Sequence, residues 1–273
     1  MLASGARLHA QEADAATRAQ WRKVFDTVAS GYQLAREPDH TPLKLIDRPA
    51  YIWARSGPHL GTYGAVYVWT QRGAAEAVAC FWRNPGADGQ ASVVHELHSL
   101  SPVVLTSSGK DSDSWKPKTG LKRQLLSDAP APAMTASSRM LQMRSLCRDF
   151  SAHSVGAQGD RTELRLLPQP LYRYESDKGG FIDGALFAFV CSIGTDPEVF
   201  LLLEASDVDG KPKWQFAPAR FSHMDLHVSF KDREVWTALR DRENTLSHNV
   251  DHTYWVFGQP FDQIKPRESD SEE

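Results

Sequence analysis

The stretch GALFAFV, Gly184 to Val190, decides how this chain is read. As a strand it sends Phe187 and Phe189 to one face and Leu186, Ala188 and Val190 to the other. Both faces are apolar, so both need cover, and one helix covers only one of them. A close relative, GAVYVWT from Gly64 to Thr70, stands 120 residues earlier and suggests the source of the second cover.

Working outward from the two stretches, PLKLIDRPAYIW (Pro42 to Trp53) aligns with ELRLLPQPLYRY (Glu163 to Tyr174). The alignment pairs Leu43 with Leu164, Leu45 with Leu166, Pro49 with Pro170 and Tyr51 with Tyr172. The spacing then stays between 120 and 122 for Gly64 and Gly184, Glu76 and Glu198, and the turn pairs Asp88-Gly89 and Asp209-Gly210. Further on, LSPVVLTSSGKDSDSW (Leu100 to Trp115) lies on FSHMDLHVSFKDREVW (Phe221 to Trp236), matching Lys110-Asp111 to Lys231-Asp232 and Trp115 to Trp236. Matches in one order at one spacing are read as a tandem duplication. A period near 120 residues is too long for a solenoid unit, so each copy is a small domain or half-domain.

Each copy reads as a helix followed by strands. Trp21, Val24, Phe25, Val28 and Tyr32 recur at helical spacing in the first copy, and Met140, Met143, Leu146, Cys147 and Phe150 do so in the second. Strands are expected at Leu43 to Trp53, Tyr63 to Gln71, Glu76 to Arg83, Ser92 to Leu100 and near Val103, with counterparts in the second copy ending at His223 to Phe230. The short turns QRGAA and SIGTDPE make hairpins, and consecutive hairpins imply antiparallel pairing. The expected fold is α+β, a tandem duplication. Each repeat is one amphipathic helix followed by a curved antiparallel sheet of four to five strands, and the two pack as a pseudo-two-fold unit. The second face of GALFAFV is then covered by the other repeat, through sheet-on-sheet packing or edge-to-edge pairing.

The organisation expected is a flexible N-terminus over 1–16, repeat 1 over 17–115, a Pro-rich polar linker over 116–138, and repeat 2 over 139–236. A docked C-terminal segment over 237–265 and a disordered acidic tail over 266–273 follow. Short helices are expected at Leu121 to Leu126 and Asp232 to Arg240, and a docked strand or arm at His252 to Phe261. The segment ARLHAQEADA resembles the end of a secretory signal cleaved after Ala10, but no positive n-region or long apolar h-region precedes it. Extracytoplasmic and cytoplasmic locations are left equally open.

With 273 residues, 41% hydrophobic and 24% charged, the chain is long enough to bury a core without staples. A formal net charge of -3 argues against nucleic acid as a partner. No apolar run nears the roughly 20 residues of a membrane-spanning helix. Cys80, Cys147 and Cys191 are odd in number and widely spaced, which fits neither a disulfide framework nor a metal knuckle.

Motifs for common chemistries are missing: no GxSxG, HExxH, GxxxxGK[ST] or GxGxxG is found. His95-Glu96-Leu97-His98 is one residue short of a zinc-protease motif, and on a strand its two histidines point to opposite faces. A second candidate is the polar set His223, Asp225, His227, His248 and His252. On a strand His223 and His227 stand about 13 Å apart with Asp225 between them on the same face. This is the spacing of an outward polar face, with Met224, Leu226, Val228 and Phe230 alternating inward, and no metal or other cofactor is expected. Asp196, Glu198 and Glu204 read as turn and strand-opening residues before they read as paired catalytic carboxylates. Trp53, Tyr172, Tyr174 and Trp214 are candidate aromatics for a groove between the repeats.

At ELRLLPQPLYRYES, GALFAFV, GTDPEVFLLLEA and KDREVW, over about residues 160 to 240, the second repeat resembles a family of uncharacterised proteins of planctomycete bacteria. The resemblance implies a bacterial origin but no substrate and no catalytic residue. The residues themselves favour a non-catalytic double-repeat module that binds a small molecule, glycan or protein. The alternative is a hydrolase or lyase, metal-dependent or not, with its site in the second repeat.

Overall fold

The computed structural model describes residues 2–55, 61–86, 90–108, 115–118, 120–175, 181–191, 194–240 and 250–264. The chain begins with α1 (Leu2–Gly31), then β1 (Gln33–Arg36), β2 (Thr41–Pro42), β3 (Lys44–Leu45), β4 (Tyr51–Ala54), β5 (Tyr63–Gln71) and β6 (Ala74–Asn84). It continues through β7 (Ser92–Ser99), β8 (Leu105–Ser108), β9 (Gln124–Leu125), α2 (Ala136–Arg148), β10 (Phe150–Val155), β11 (Arg161–Leu166) and β12 (Tyr172–Glu175). The remaining strands are β13 (Phe181–Val190), β14 (Pro197–Val208), β15 (Lys211–Arg220), β16 (Asp225–Phe230), β17 (Arg233–Ala238) and β18 (Tyr254–Pro260).

These elements make a mixed α+β fold whose strand pairings among the described residues are all antiparallel. One sheet runs β18-β7-β6-β5-β3 with β4 also on β5, and the other runs β17-β16-β10-β11-β13-β14-β15-β9 with β12 on β13. A small sheet, β2-β1-β8, completes the set.

The second face of GALFAFV is covered by the other sheet. Ala185, Phe187 and Phe189 pack with Met143, Leu146 and Cys147 of α2. Leu186, Ala188 and Val190 pack instead against Val66, Val68, Val78 and Cys80 of the first sheet. On that sheet Ala65, Tyr67 and Trp69 turn the other way, onto Trp21, Phe25 and Val28 of α1. The layers are therefore helix, sheet, sheet, helix, each sheet buried on both sides. Burying a side chain such as Phe187 contributes roughly 1.5–3 kcal/mol, and rows of them fix the pairing, since a one-residue slip would exchange the two cores.

Registers in the two sheets follow one pattern. Trp53 faces Gly64 across β4 and β5, and Tyr174 faces Gly184 across β12 and β13. Leu45 faces Trp69, and Leu166 faces Phe189. Arg36 faces Leu105, and Ser154 faces Leu226. The glycines are required: a Cβ on Gly64 would come within 2.8 Å of the Trp53 ring, and one on Gly184 within 2.5 Å of the Tyr174 ring. A difference lies at Pro42, which has no N–H to give a ladder; there β2 and β3 are separate, whereas β11 runs unbroken through Glu163.

Two strands cross between the sheets. β9, which follows the first set of elements, pairs with β15, placing Leu125 opposite Gln215. β18, which follows the second, pairs with β7 from Tyr254 opposite His98 to Pro260 opposite Ser92.

Several expectations need correction. Residues 121–126 hold β9 rather than a helix, and Asp232 to Arg240 holds β17, because Arg233–Ala238 returns along β16 after a tight turn at Lys231 and Asp232, both left-handed with φ of 47° and 63°. Leu43 to Trp53 is two strands parted by the segment around Pro49. β1 and β10 follow directly on the helices, where helical spacing ran over them. The segment around His252 to Phe261 does hold a strand, β18. The pairs Asp88-Gly89 and Lys110-Asp111 lie outside the described residues. Among the described residues, no helix is long and apolar enough to cross a membrane.

Candidate functional site

Glu76 stands near the start of β6, just after the β5–β6 turn, where Arg72 (φ 50°) and Gly73 (φ 89°) form the left-handed pair of a two-residue hairpin. The turn delivers Glu76 to the seam between the sheets, where it is 3% exposed. Arg36 of β1 reaches it, with Nη1 3.5 Å from Oε1, while Oε2 is buried without a hydrogen-bond partner among the described residues. Burial raises the pKa of this carboxyl above its ordinary value; Ser101, Arg36 and Arg123 oppose the shift, and Glu204 adds to it.

Glu204 of β14 is held more completely. Arg123, just before β9, donates from Nε to Oε2 at 2.9 Å and from Nη1 to the carbonyl of Leu100 at 3.0 Å. The Tyr174 hydroxyl donates to Oε1, and burial beside this carboxylate pushes the phenol pKa well up. The Arg123 guanidinium also lies 5.6 Å from the centre of the Phe181 ring, which fixes that ring at the seam.

A cavity of about 490 Å³ opens beside Glu76. The β1–β2 connection lines it with Arg36, Glu37, Asp39 and Thr41, the β5–β6 hairpin with Gln71, Arg72 and Ala74, and Val103 and Phe181 close it with apolar surface. Two of its carboxylates are engaged: Asp39 accepts from Thr41, and Glu37 sits 3.1 Å from His40 Nδ1. A smaller cavity of about 230 Å³ lies between α1 and β4–β5, beside Arg22, which is bonded to Asp26.

The matching position in the other sheet, Glu198 of β14, has different surroundings. The β13–β14 connection brings Cys191 and Asp196 beside it, with their ligand-type atoms all within 4.8 Å of one another. Cys191 donates to Asp196 Oδ1 at 2.9 Å, and Arg55 donates to Oδ2. Burial lifts Cys191 to about 12 and Glu198 to about 7. Nearby, the Tyr254 hydroxyl of β18 donates to Glu96 of β7, a carboxyl that burial lifts to about 8.

The residues singled out by sequence are dispersed. His227 of β16 bonds Glu234 at 2.8 Å and stacks on His153 at 4.6 Å. Asp225 accepts from the Arg240 backbone N–H. His223 is exposed, its ring 6.0 Å from that of Tyr254. The carbonyl of His252 accepts from Trp115 Nε1. His248 lies outside the described residues. Leu226, Val228 and Phe230 point inward, whereas Met224 is exposed.

The four aromatics share no groove. Trp53 and Tyr174 are buried between the sheets, with Tyr172 packed at their edge donating to the Gly73 carbonyl at 2.9 Å. Trp214 lies in the α2 core. His95 bonds the Tyr32 hydroxyl at 2.6 Å in the α1 core, and His98 packs on the opposite face near Tyr254, donating Nδ1–H to the Ser99 carbonyl.

Sequence reading missed the Glu76 cavity, Arg36 and Arg123. The available signal was the match of Glu76 to Glu198, two acids at the heads of strands that are otherwise apolar on both faces. No protein-family model matches the chain, and neither a curated protein nor a solved structure is significantly similar to it.

Proposed function

We propose that the protein is a non-catalytic binding module built by tandem duplication, with a small polar molecule held in the cavity beside Glu76. Register supports the duplication: the pairs Trp53–Gly64 and Tyr174–Gly184, Leu45–Trp69 and Leu166–Phe189, and Glu76 and Glu198 as strand openers recur at one spacing. Two such copies, each lending its following strand to the other's sheet, make a pseudo-two-fold molecule.

One observation carries the binding reading. Glu76, 3% exposed and paired with Arg36, borders a cavity of ligand size. A ligand group that both donates and accepts would be met there by the Glu76 carboxylate and the Arg36 guanidinium. Glu37 and Asp39 are engaged by neighbours and Glu76 is enclosed, so these carboxylates suit anchoring better than an acid and base pair.

The test is a thermal-shift screen of chemically diverse small molecules on the intact protein and on Arg72→Ala. A class of compounds that raises the midpoint of the parent and not of the variant is the expected result. Stabilisation indifferent to Arg72→Ala would remove the cavity from the reading, and consumption of a bound compound, followed by mass spectrometry, would make the protein an enzyme.

A further inference from the structure

We infer that the cavity takes a neutral polyhydroxylated molecule, a sugar of one or two rings; the inference rests on the binding reading above.

At the cavity wall an acceptor and a donor stand side by side: the carboxylate of Glu76 and the guanidinium of Arg36, with Nη1 3.5 Å from Glu76 Oε1. An ammonium group offers donors only and meets the positive charge of Arg36 and Arg72. A carboxylate or phosphate offers acceptors only and meets Glu76, Glu37 and Asp39. A hydroxyl gives its proton to Glu76 and accepts from a guanidinium at one and the same oxygen. The cations Arg36 and Arg72 are set against Glu37, Asp39 and Glu76, so no large excess of either sign draws in a charged ligand.

The rest of the lining agrees. Gln71 can donate and accept, and Thr41, which gives its proton to Asp39, can accept, which suits further hydroxyls. Phe181, held in place over the Arg123 guanidinium, gives with Val103 an apolar wall for the C–H face of a ring. A volume of about 490 Å³ lies within the range of small-ligand pockets.

The experiment is isothermal titration calorimetry of the intact protein with glucose, galactose, mannose, N-acetylglucosamine, maltose and cellobiose. Putrescine, citrate and glycinamide serve as the amine, anion and amide arms. At least one sugar is expected to give a saturable isotherm that weakens about tenfold or more in Glu76→Gln and in Arg72→Ala. Glu76→Gln preserves shape but turns one acceptor into a donor, and Arg72→Ala, on an exposed turn, gives the reading if the first variant does not fold. Absence of sugar binding, or sugar binding that neither variant weakens, overturns the inference. If an amine, anion or amide binds in an Arg72-dependent way while sugars do not, the sugar class falls and the binding module stands. If no probe binds, both fall.

Discussion

Glu76 and Glu198 stand at the heads of matching strands, β6 and β14, yet a cavity borders the first, and Asp196, Cys191 and Arg55 crowd the second. The scaffold around them is the same in register, so the difference comes from the connections. Between β5 and β6 the chain turns in two residues, Arg72 and Gly73, and Arg72 lines the cavity beside Glu76. Between β13 and β14 the longer connection brings its own carboxylate and thiol, and Arg55 arrives from the end of β4 to pair with Asp196. Gly194 makes the second arrangement possible, because a Cβ there would stand 2.7 Å from Asp196 Oδ1. The hollow and the filled surroundings thus lie beside connections of different length, on sheets of matching register.

The equivalence beneath this contrast is open to the largest test. Gly64→Ala and Gly184→Ala each force a methyl onto the facing ring, Trp53 or Tyr174, and each is expected to cost on the order of 3 kcal/mol. Urea unfolding of both variants would break the equivalence if one change is tolerated and the other is not. Next in size, Asp196→Asn removes the charge opposite Arg55 and is expected to cost about 1–3 kcal/mol. Glu76→Gln, which keeps the side chain's shape beside Arg36 and Ser101, should stay within about 1 kcal/mol of the parent; equal losses would erase the distinction between the two sites.

The pH response sharpens the comparison further. Glu96 and Glu198, lifted by burial to about 8 and about 7, hold protons in the folded chain that the unfolded chain releases near about pH 4.3. Stability from this source is complete below that unfolded value and is lost as pH rises through about 7 and about 8. His98, pushed down to about 4 by burial, acts in the opposite sense: its contribution is present above about 6.5 and is lost as pH falls toward about 4. Denaturant midpoints at about pH 6 and about pH 8.5 should show a fall that shrinks in Glu96→Gln, which keeps an acceptor for Tyr254. The smallest effect belongs to His227→Ala on the outward face of β16, expected within about 0.5 kcal/mol by the same measurement.

How far the sequence discloses this molecule depends on what each residue needs. GALFAFV needs cover twice, and the demand leads to a second layer opposite the helix; the structure supplies it by stacking the sheets, where edge-to-edge pairing was the other option. The hairpins and β18 are legible for similar reasons of alternation and turn chemistry. β1 and β10 are not, because Tyr32 and Phe150 extend the helical spacing of the residues before them although the helices have already ended at Gly31 and Arg148. β17 reads as a helix only if the return turn at Lys231-Asp232 is overlooked. At the site, an acid opening a strand looks like turn chemistry. Its burial depends on Arg36, 40 positions earlier, and on the opposing sheet, neither of which leaves a local pattern.

The crossing of β9 and β18 bears on how the chain is made. During synthesis β5, β6 and β7 emerge long before Tyr254–Pro260, so the edge of β7 that β18 later occupies waits until those residues have left the ribosome. An exposed edge of that kind is an invitation to wrong partners. A nascent or truncated chain ending before Tyr254 therefore carries the hazard, and only a chain that includes β18 closes it.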